Sequence, residues 1–343
     1  MAPPAVLRVR VTEVVRETAD AHSLVLEPLD RDGEFGYRPG QFLTVRIPST
    51  RDGSAARCYS LCSSPHGDER PKITVKRTEG GYGSNWICDN VTEGSELEVL
   101  RPSGTFTPRS LDSDVLLLAA GSGVTPVMSI LKSCLLAGSG QVTLLYANRD
   151  EQSVIFREEL VRLAKEFGDR LTVVHWLESV QGLPTESGVR ALLAPYRDRQ
   201  AFLCGPGPFM ELATTVLTGL GAPGENVTVE RFTSLAGDPF AEPSVEVDTG
   251  GPSSTVEVTL DGETRTVTWP HANRLLDVLL DAGLEAPSSC REGACSACAC
   301  VLLEGEVDLA HNEILDEQDL ADGLILACQA TPRSQRLKIT YEV

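Results

Sequence analysis

The sequence contains no apolar run long enough to cross a bilayer. Its opening stretch, Met1 to Arg8, has no basic segment followed by an apolar core, so no secretion leader is expected. A cytoplasmic location is therefore the default expectation. Basic charge is also short: 30 Lys and Arg stand against 49 Asp and Glu, a net charge of −19. That balance excludes polyanionic partners, both nucleic acid and an anionic membrane surface. Histidine is sparse. His22, His66, His175, His271 and His311 do not cluster, so no imidazole metal site or Ser–His–Asp arrangement is expected. There is no internal repeat, no complete G-x-G-x-x-G and no P-loop.

Cysteine, by contrast, is plentiful, with ten in the chain. In a reducing compartment they are not expected to form disulfides. Cys290, Cys295 and Cys298 are spaced C-x4-C-x2-C, and Cys328 lies 30 residues beyond Cys298. This is the plant-type [2Fe–2S] spacing, in which two irons take four thiolates, three of them from one tight loop. The loop is rich in small residues, which let the backbone wrap a cluster and aim N–H groups at its sulfurs. A zinc site is the competing reading, but zinc usually takes paired C-x2-C knuckles and Cys328 stands alone. Cys300 falls outside the spacing and reads as a buried small residue.

Four stretches differ in character. Residues 1–110 carry short apolar or β-branched runs broken by Gly, Pro and Asp, the pattern of an antiparallel β-barrel. Residues 111–233 alternate apolar strands with helical patterns, which implies an α/β parallel sheet covered on both faces. Residues 234–254 are rich in Pro, Gly, Ser and acid and read as a linker. Residues 255–343 form a small α+β unit. In it Asp261-Gly262 marks a hairpin, Asn273 is placed to cap a leucine-rich helix, and Gly283 is placed to end it. This last unit holds 16 acidic and 6 basic side chains. That charge suits either a solvated surface or a dock for a basic partner.

Two further constellations carry chemistry. Arg57-Cys58-Tyr59-Ser60 offers a cation for a pyrophosphate, an aromatic ring for an isoalloxazine and a hydroxyl near its N5. Lys76-Arg77 then leads to Gly80-Gly81-Tyr82-Gly83-Ser84-Asn85 and a helix beginning near Trp86, where free N–H groups suit phosphate oxygens. Each alone is also compatible with an ordinary strand or a glycine-rich hairpin. Farther on, the apolar strand Val115–Ala119 runs into Gly121-Ser122-Gly123-Val124-Thr125-Pro126, with proline well placed in a first helical turn. Cys204-Gly205-Pro206 follows a later strand and is expected at the same sheet edge, where dinucleotides bind. Glu230 and Phe232 end this region.

In these motifs the chain resembles the ferredoxin–NADP reductase superfamily, in the order flavin domain, nicotinamide domain, plant-type ferredoxin. The stretches RCYSLCSSP (57–65), LLLAAGSGVTP (116–126), CGPGPFM (204–210) and SCREGACSACAC (289–300) resemble, more narrowly, the reductase components of 3-ketosteroid 9α-hydroxylases. The resemblance implies a multidomain fold: a β-barrel flavin domain, an α/β nicotinamide domain and a β-grasp [2Fe–2S] ferredoxin domain. It implies FAD held by Arg57, Tyr59 and Ser60, with the Gly81, Gly83, Ser84 and Asn85 turn and Lys76 near its phosphates. It places Gly121, Thr125, Pro126, Cys204 and Gly205 on NADH, and Ser60, Cys204, Glu230 and Phe232 around the reacting ring. Cys290, Cys295, Cys298 and Cys328 would ligate the cluster. Ala294 and Ser296 stand where relatives often have histidine and glycine. The implied partner is a terminal Rieske-type oxygenase, docked transiently through charge. Competing readings are the reductase of a phenylacetyl-CoA epoxidase or of another aromatic-ring oxygenase, and a redox-sensing module without turnover.

Overall fold

The computed structural model describes residues 6–29, 35–49, 53–235, 238–240, 250–315 and 317–342. The first unit comprises β1 (Val6–Arg16), β2 (Ala21–Pro28), β3 (Phe42–Ser49), β4 (Gly53–Ser60), β5 (Lys72–Lys76), helix α1 (Tyr82–Asn90) and β6 (Glu96–Leu100). The strands are ordered β4-β3-β6-β1-β2-β5, and a bridge from Leu61 to Ile73 joins the two ends into a barrel. Alternation along the strands sends Val9, Val11, Leu24, Leu26, Leu43 and Val45 inward. Helix α1 starts at Tyr82, a full turn before the sequence suggests, so Gly83, Ser84 and Asn85 lie in its first turn.

The second unit is wound from β7 (Val115–Ala120), α2 (Val124–Ala137), β8 (Val142–Asn148), α3 (Arg157–Glu166), β9 (Leu171–Leu177), α4 (Glu178–Gln181), α5 (Glu186–Leu193), β10 (Gln200–Cys204), α6 (Gly207–Gly219) and β11 (Val227–Glu230). All sheet pairs are parallel, in the order β11-β10-β7-β8-β9. Strands β7 and β8 are buried along their whole length, which explains their unbroken apolar runs. Leu117 and Ala119 face one core, and Leu116 and Leu118 the other. The order reverses between β7 and β10, so the helices after these two strands, α2 and α6, cover opposite faces of the sheet and a crevice opens beside the loops that lead into them.

This unit is fastened to the barrel by a buried polar seam along α2. Ser129 Oγ donates to the Ser63 carbonyl (2.6 Å), and the Ser133 and Ser64 hydroxyls pair at 2.8 Å. Between them Lys132, buried, pairs with Asp68 (2.7 Å) and Glu159 (3.0 Å), and Lys72 reaches the other Glu159 oxygen at 3.3 Å.

The third unit holds β12 (Ser253–Leu260), β13 (Glu263–Pro270), α7 (Leu275–Asp281), β14 (Ala299–Glu304), β15 (Val307–Leu309), α8 (Glu317–Ala321), β16 (Leu324–Leu326), β17 (Ala330–Pro332) and β18 (Arg336–Thr340). Its main sheet runs β13-β12-β18-β14-β16, with β12 and β18 parallel and α7 packed across it, a β-grasp arrangement. Asp261 and Gly262 both take positive φ (53° and 76°), as the two-residue hairpin requires. Arg274, not Asn273, is the cap of α7; the Asn273 carbonyl instead accepts from the buried Trp269 indole at 2.9 Å.

The stretch expected as a free linker is anchored at its near end. Leu235 and Phe240 are buried with Phe42, Ala56, Cys290 and Ala294. Ser54 donates to Asp238, and the Arg46 guanidinium lies 5.5 Å from the Phe240 ring centre. Residues 241–249 lie outside the described residues. Among the described residues no helix is long and apolar enough to cross a membrane.

Candidate electron-transfer site

Strand β4 positions Arg57, Tyr59 and Ser60. It pairs antiparallel with β3 throughout, which fixes alternate side chains on opposite faces. Ser60 is buried at the strand end. The Arg57 guanidinium donates to the Ala56 carbonyl (2.7 Å) and the Leu235 carbonyl (3.4 Å). Helix α1 approaches this arginine closely. A Cβ on Gly83 would lie 2.7 Å from Arg57 Cγ and 2.8 Å from Ile47 Cδ1, so only glycine lets the helix start beside the cation. Gly80 turns the chain at φ 68°, and the cap at Gly81 carries no side-chain hydrogen bond, leaving first-turn N–H groups open for an anion. A flavin pyrophosphate fits that donor set. Ser84 and Asn85 are committed elsewhere: Ser84 Oγ accepts from Thr78 N–H (3.0 Å), and Asn85 Nδ2 donates to the Thr78 (3.0 Å) and Gly81 (2.6 Å) carbonyls. They shape the turn with their side chains.

The crevice of the parallel sheet gathers the second constellation. Gly121 takes φ 53°, and its carbonyl accepts from the Tyr146 hydroxyl at 3.0 Å. Thr125 Oγ1 donates to the Ser122 carbonyl (3.0 Å), with Pro126 next in the first turn of α2. The loop after β10 is pressed against this turn. A Cβ on Gly123 would stand 2.1 Å from the Cys204 carbonyl oxygen, and one on Gly205 3.0 Å from Ala120 Cβ. Gly123 stands in the turn the sequence marks, but its need for glycine comes from a loop some 80 residues away. Beside these loops lies a cavity of about 550 Å³ lined by Lys76, Gly121, Asn148, Arg149, Trp176 and Phe209. Lys76 thus lies with the nicotinamide loops rather than with the flavin arginine. The Asn148 amide is buried there without a hydrogen bond among the described residues. A buried amide open on both its N–H and C=O sides suits a polar ligand, and a dinucleotide fits. A polar residue closing the apolar run VTLLYAN was the available signal for Asn148.

The two constellations meet at a narrow cleft walled by Phe42, Cys58, Ser60, Glu230, Phe232 and Cys295. Cys204 and Glu230 are directly paired in the sheet. Burial pushes the Cys204 thiol up, so it stays protonated. Glu230 keeps part of its surface exposed, but its carboxyl is turned inward, and desolvation pushes it up to about 8. Phe232, just past β11, is half exposed at the cleft mouth.

The cluster loop supplies the remaining wall. Arg291 and Gly293 take positive φ (59° and 78°), and a Cβ on Gly293 would lie 2.6 Å from the His311 carbonyl oxygen. These turns fold the four thiols into two adjacent pairs, Cys290 with Cys295 and Cys298 with Cys328, with Cys290 also touching Cys328. Hydrogen bonds from Cys295 and Cys328 hold the Cys290 thiol far below its ordinary value, while the same sharing pushes Cys328 up. Four thiolates this close need compensating positive charge, which irons supply. N–H groups already point at sulfur: Cys290 N to Cys295 Sγ and Glu292 N to Cys290 Sγ, both 3.4 Å, and Gln329 Nε2 to Cys328 Sγ at 3.6 Å. A two-iron centre asks for two thiolates on each iron, and the pairs fit it.

A flavin barrel, a nicotinamide crevice and a plant-type cysteine loop meeting at one cleft define a modular iron–sulfur flavoprotein reductase. Comparisons with known proteins agree. The families described as "Oxidoreductase FAD-binding domain", "Oxidoreductase NAD-binding domain" and "2Fe-2S iron-sulfur cluster binding domain" match residues 8–107, 117–215 and 258–333. The chain is 55% identical to the 3-ketosteroid-9-alpha-monooxygenase ferredoxin reductase component of Mycobacterium tuberculosis (strain CDC 1551 / Oshkosh), over 98% of this chain and 96% of that one. It is 32% identical to a component of the 1,2-phenylacetyl-CoA epoxidase of Escherichia coli (strain K12), over 97% and 96%. The solved structure of phthalate dioxygenase reductase, 25% identical, superposes with a TM-score of 0.58 over 98% of both chains. The chain belongs to the family of 3-ketosteroid-9-alpha-monooxygenase ferredoxin reductase components.

Proposed function

We propose that this chain carries electrons from NADH through FAD and a [2Fe–2S] cluster to a terminal Rieske-type oxygenase that 9α-hydroxylates a 3-ketosteroid in sterol breakdown. The observation that carries this reading is the shared cleft: Ser60 and Glu230 from the flavin and nicotinamide side face Cys295 of the cluster loop across one narrow space. When bound, FAD and the cluster supply the exchange between paired electrons, arriving as hydride, and single electrons. The chain's own residues bind and shield. Arg57 and the open N-terminus of α1 neutralise the pyrophosphate. Asn148 and the Gly121 and Gly205 turns seat the dinucleotide, Phe232 limits water at the cleft mouth, and the four cysteines hold the irons. Two acids near the cations of the nicotinamide cavity favour NADH over NADPH: Asp20 pairs with both Arg149 (3.4 Å) and Lys76 (3.8 Å), and Glu178 lies in the cavity wall. A second phosphate would have to compete with these carboxylates.

Reconstitution tests the reading. Purified chain, NADH and a steroid Rieske oxygenase should turn over, with NADH used in preference to NADPH. An epoxidase oxygenase should be served poorly, as the lower identity to that relative suggests. The acidic third unit predicts transfer that weakens as salt rises, because charge mainly steers docking. Turnover with the epoxidase and none with the steroid oxygenase would overturn the assignment.

Glu230 gives a pH prediction. Its folded value, about 8, lies above its ordinary 4.5. Below that value the neutral acid adds no negative charge to a cleft that must receive electrons. NADH-driven reduction of an artificial acceptor should therefore fall as pH rises through about 8. Glu230→Gln, fixed neutral, should lose that limb; an unchanged profile would remove Glu230 from the role. The stability sign is the same. Between 4.5 and about 8 the folded chain holds a proton that the unfolded chain has lost, so this group's cost to stability grows with pH across that window.

A further inference from the structure

The cluster loop is seated on the barrel by more than apolar contact. Phe42, Ala56, Leu235, Phe240, Ala294 and Ala297 make an apolar patch, and such contact has no direction of its own. Two hydroxyls lie at the edge of it. Thr44 on β3 and Ser289, the residue before Cys290, are 1% and 3% exposed and hydrogen-bond across the domain boundary at 2.5 Å. Cys58 on the flavin strand lies 3.5 Å from the same Thr44 oxygen. A second bond crosses nearby, from Thr233 Oγ1 to the Ala294 carbonyl, also 2.5 Å.

We propose that Thr44 and Ser289 form an interdomain latch that sets the seating of the cluster loop against the flavin strand, and with it the rate at which electrons pass from flavin to cluster. The inference rests on the proposed relay. Its physical basis is the asymmetry of buried hydrogen bonds. In the observed seating both hydroxyls are satisfied. In any slipped seating the desolvated Ser289 hydroxyl loses Thr44, and Thr44 keeps only the weak contact to the Cys58 thiol, whereas the alanines and phenylalanines find new apolar neighbours at little cost. The latch therefore selects one register among several that the apolar patch alone would tolerate. That register brings Cys290 and Cys295, through the backbone of Ser289, beside β4 and the cleft that Ser60 lines. Electron transfer falls steeply with distance, so a fixed register is a fixed rate. Neither residue ligates iron or lines the nicotinamide crevice. They are positioning residues.

The test uses the full holoprotein. Thr44→Val keeps the shape and removes the hydroxyl, Thr44→Ser keeps the hydroxyl, and Ser289→Ala removes the other partner. Stopped-flow absorption separates reduction of the flavin by NADH from the later reduction of the cluster, and hydrogen exchange over residues 286–298 reads the seating directly. Thr44→Val is expected to leave flavin reduction and iron content unchanged, to slow cluster reduction about tenfold, and to speed exchange in the loop. Thr44→Ser should restore both, and the Thr44→Val, Ser289→Ala double variant should be no slower than the worse single, because one interaction has been removed twice. Wild-type cluster reduction and wild-type exchange in a fully loaded Thr44→Val protein would overturn the latch. A wild-type protein whose cluster is not reduced by NADH would instead overturn the relay, while loop exchange would still judge the latch.

Discussion

Cys328→Ser should purify with its flavin but without the absorption and EPR signals of a two-iron cluster, and it should deliver no electrons to the oxygenase. Cys328 is the one proposed ligand outside the loop. It lies just past β16, which pairs with β14, and so closes the second thiol pair from the far side of the site. Without it three thiolates remain for two irons. The neighbouring candidate, Cys300, is buried on β14, with its thiol pushed up by desolvation. Cys300→Ala should therefore keep the cluster and cost about 1 kcal/mol of stability for the small space left behind. The flavin and nicotinamide sites share no cysteine ligand with the loop, so NADH-driven reduction of a flavin-level acceptor should survive in both variants. A Cys328→Ser protein that keeps the two-iron spectrum, or a Cys300→Ala protein that loses it, would mean that the ligand set is wrong.

The contrast between these two cysteines shows what could be seen in the sequence. Ligand spacing is local chemistry, and it singles out Cys290, Cys295, Cys298 and Cys328, the four thiols that the fold brings together. Legible too were the parallel sheet, whose central strands β7 and β8 are largely apolar because both faces are covered, and the Asp261-Gly262 hairpin, whose residues tolerate positive φ. Strand β4 was less visible. It begins Gly-Ser-Ala-Ala, with no β-branched residue, and owes its extended form to full pairing with β3. The start of α1 was misplaced for a related reason. Tyr82, Gly83, Ser84 and Asn85 are weak helix formers, and their turn is held by the Thr78 N–H donating to Ser84 Oγ and by Asn85 Nδ2 donating to the Thr78 and Gly81 carbonyls. Least visible were the contacts between domains. Nothing near Thr44 announces Ser289, and a run expected to be a loose linker carries Leu235 and Phe240 into a buried interface. Such pairings join residues far apart in the chain, where no local period reports them.

Lys132→Met should be the most damaging single substitution away from the cofactors. Lys132 is buried and sits between Asp68 of the barrel and Glu159 of α3, at 2.7 and 3.0 Å. Methionine keeps the length and apolar character of the stem, so the change isolates the charge. Removing one member of a buried ion pair costs about 3–5 kcal/mol, because the partners stay desolvated. Here the lower part of that range is expected: Glu159 keeps Lys72 at 3.3 Å, and Asp68, partly exposed, can turn toward water. An exposed pair offers the comparison. Arg162→Ala, which removes the exposed Arg162–Glu166 contact on α3 and a distant approach to Glu159 at 4.0 Å, should cost about 0.5 kcal/mol or less. The functional consequence follows from where Lys132 lies. With Ser129 and Ser133 it forms the face of α2 that grips residues 63–68, and the opposite end of the same helix opens on the Gly121 turn. Ser63 in turn lies three residues beyond Ser60 of the flavin motif. Loosening this face lets the nicotinamide crevice drift over the barrel. Lys132→Met should therefore slow flavin reduction by NADH while leaving the [2Fe–2S] spectrum intact, the reverse of the Cys328→Ser pattern. Calorimetry should show the transition of the barrel and nicotinamide units lowered and that of the ferredoxin unit unmoved. A variant that melts and reduces its flavin as the wild type does would mean that the seam is held by its serines and apolar contacts alone.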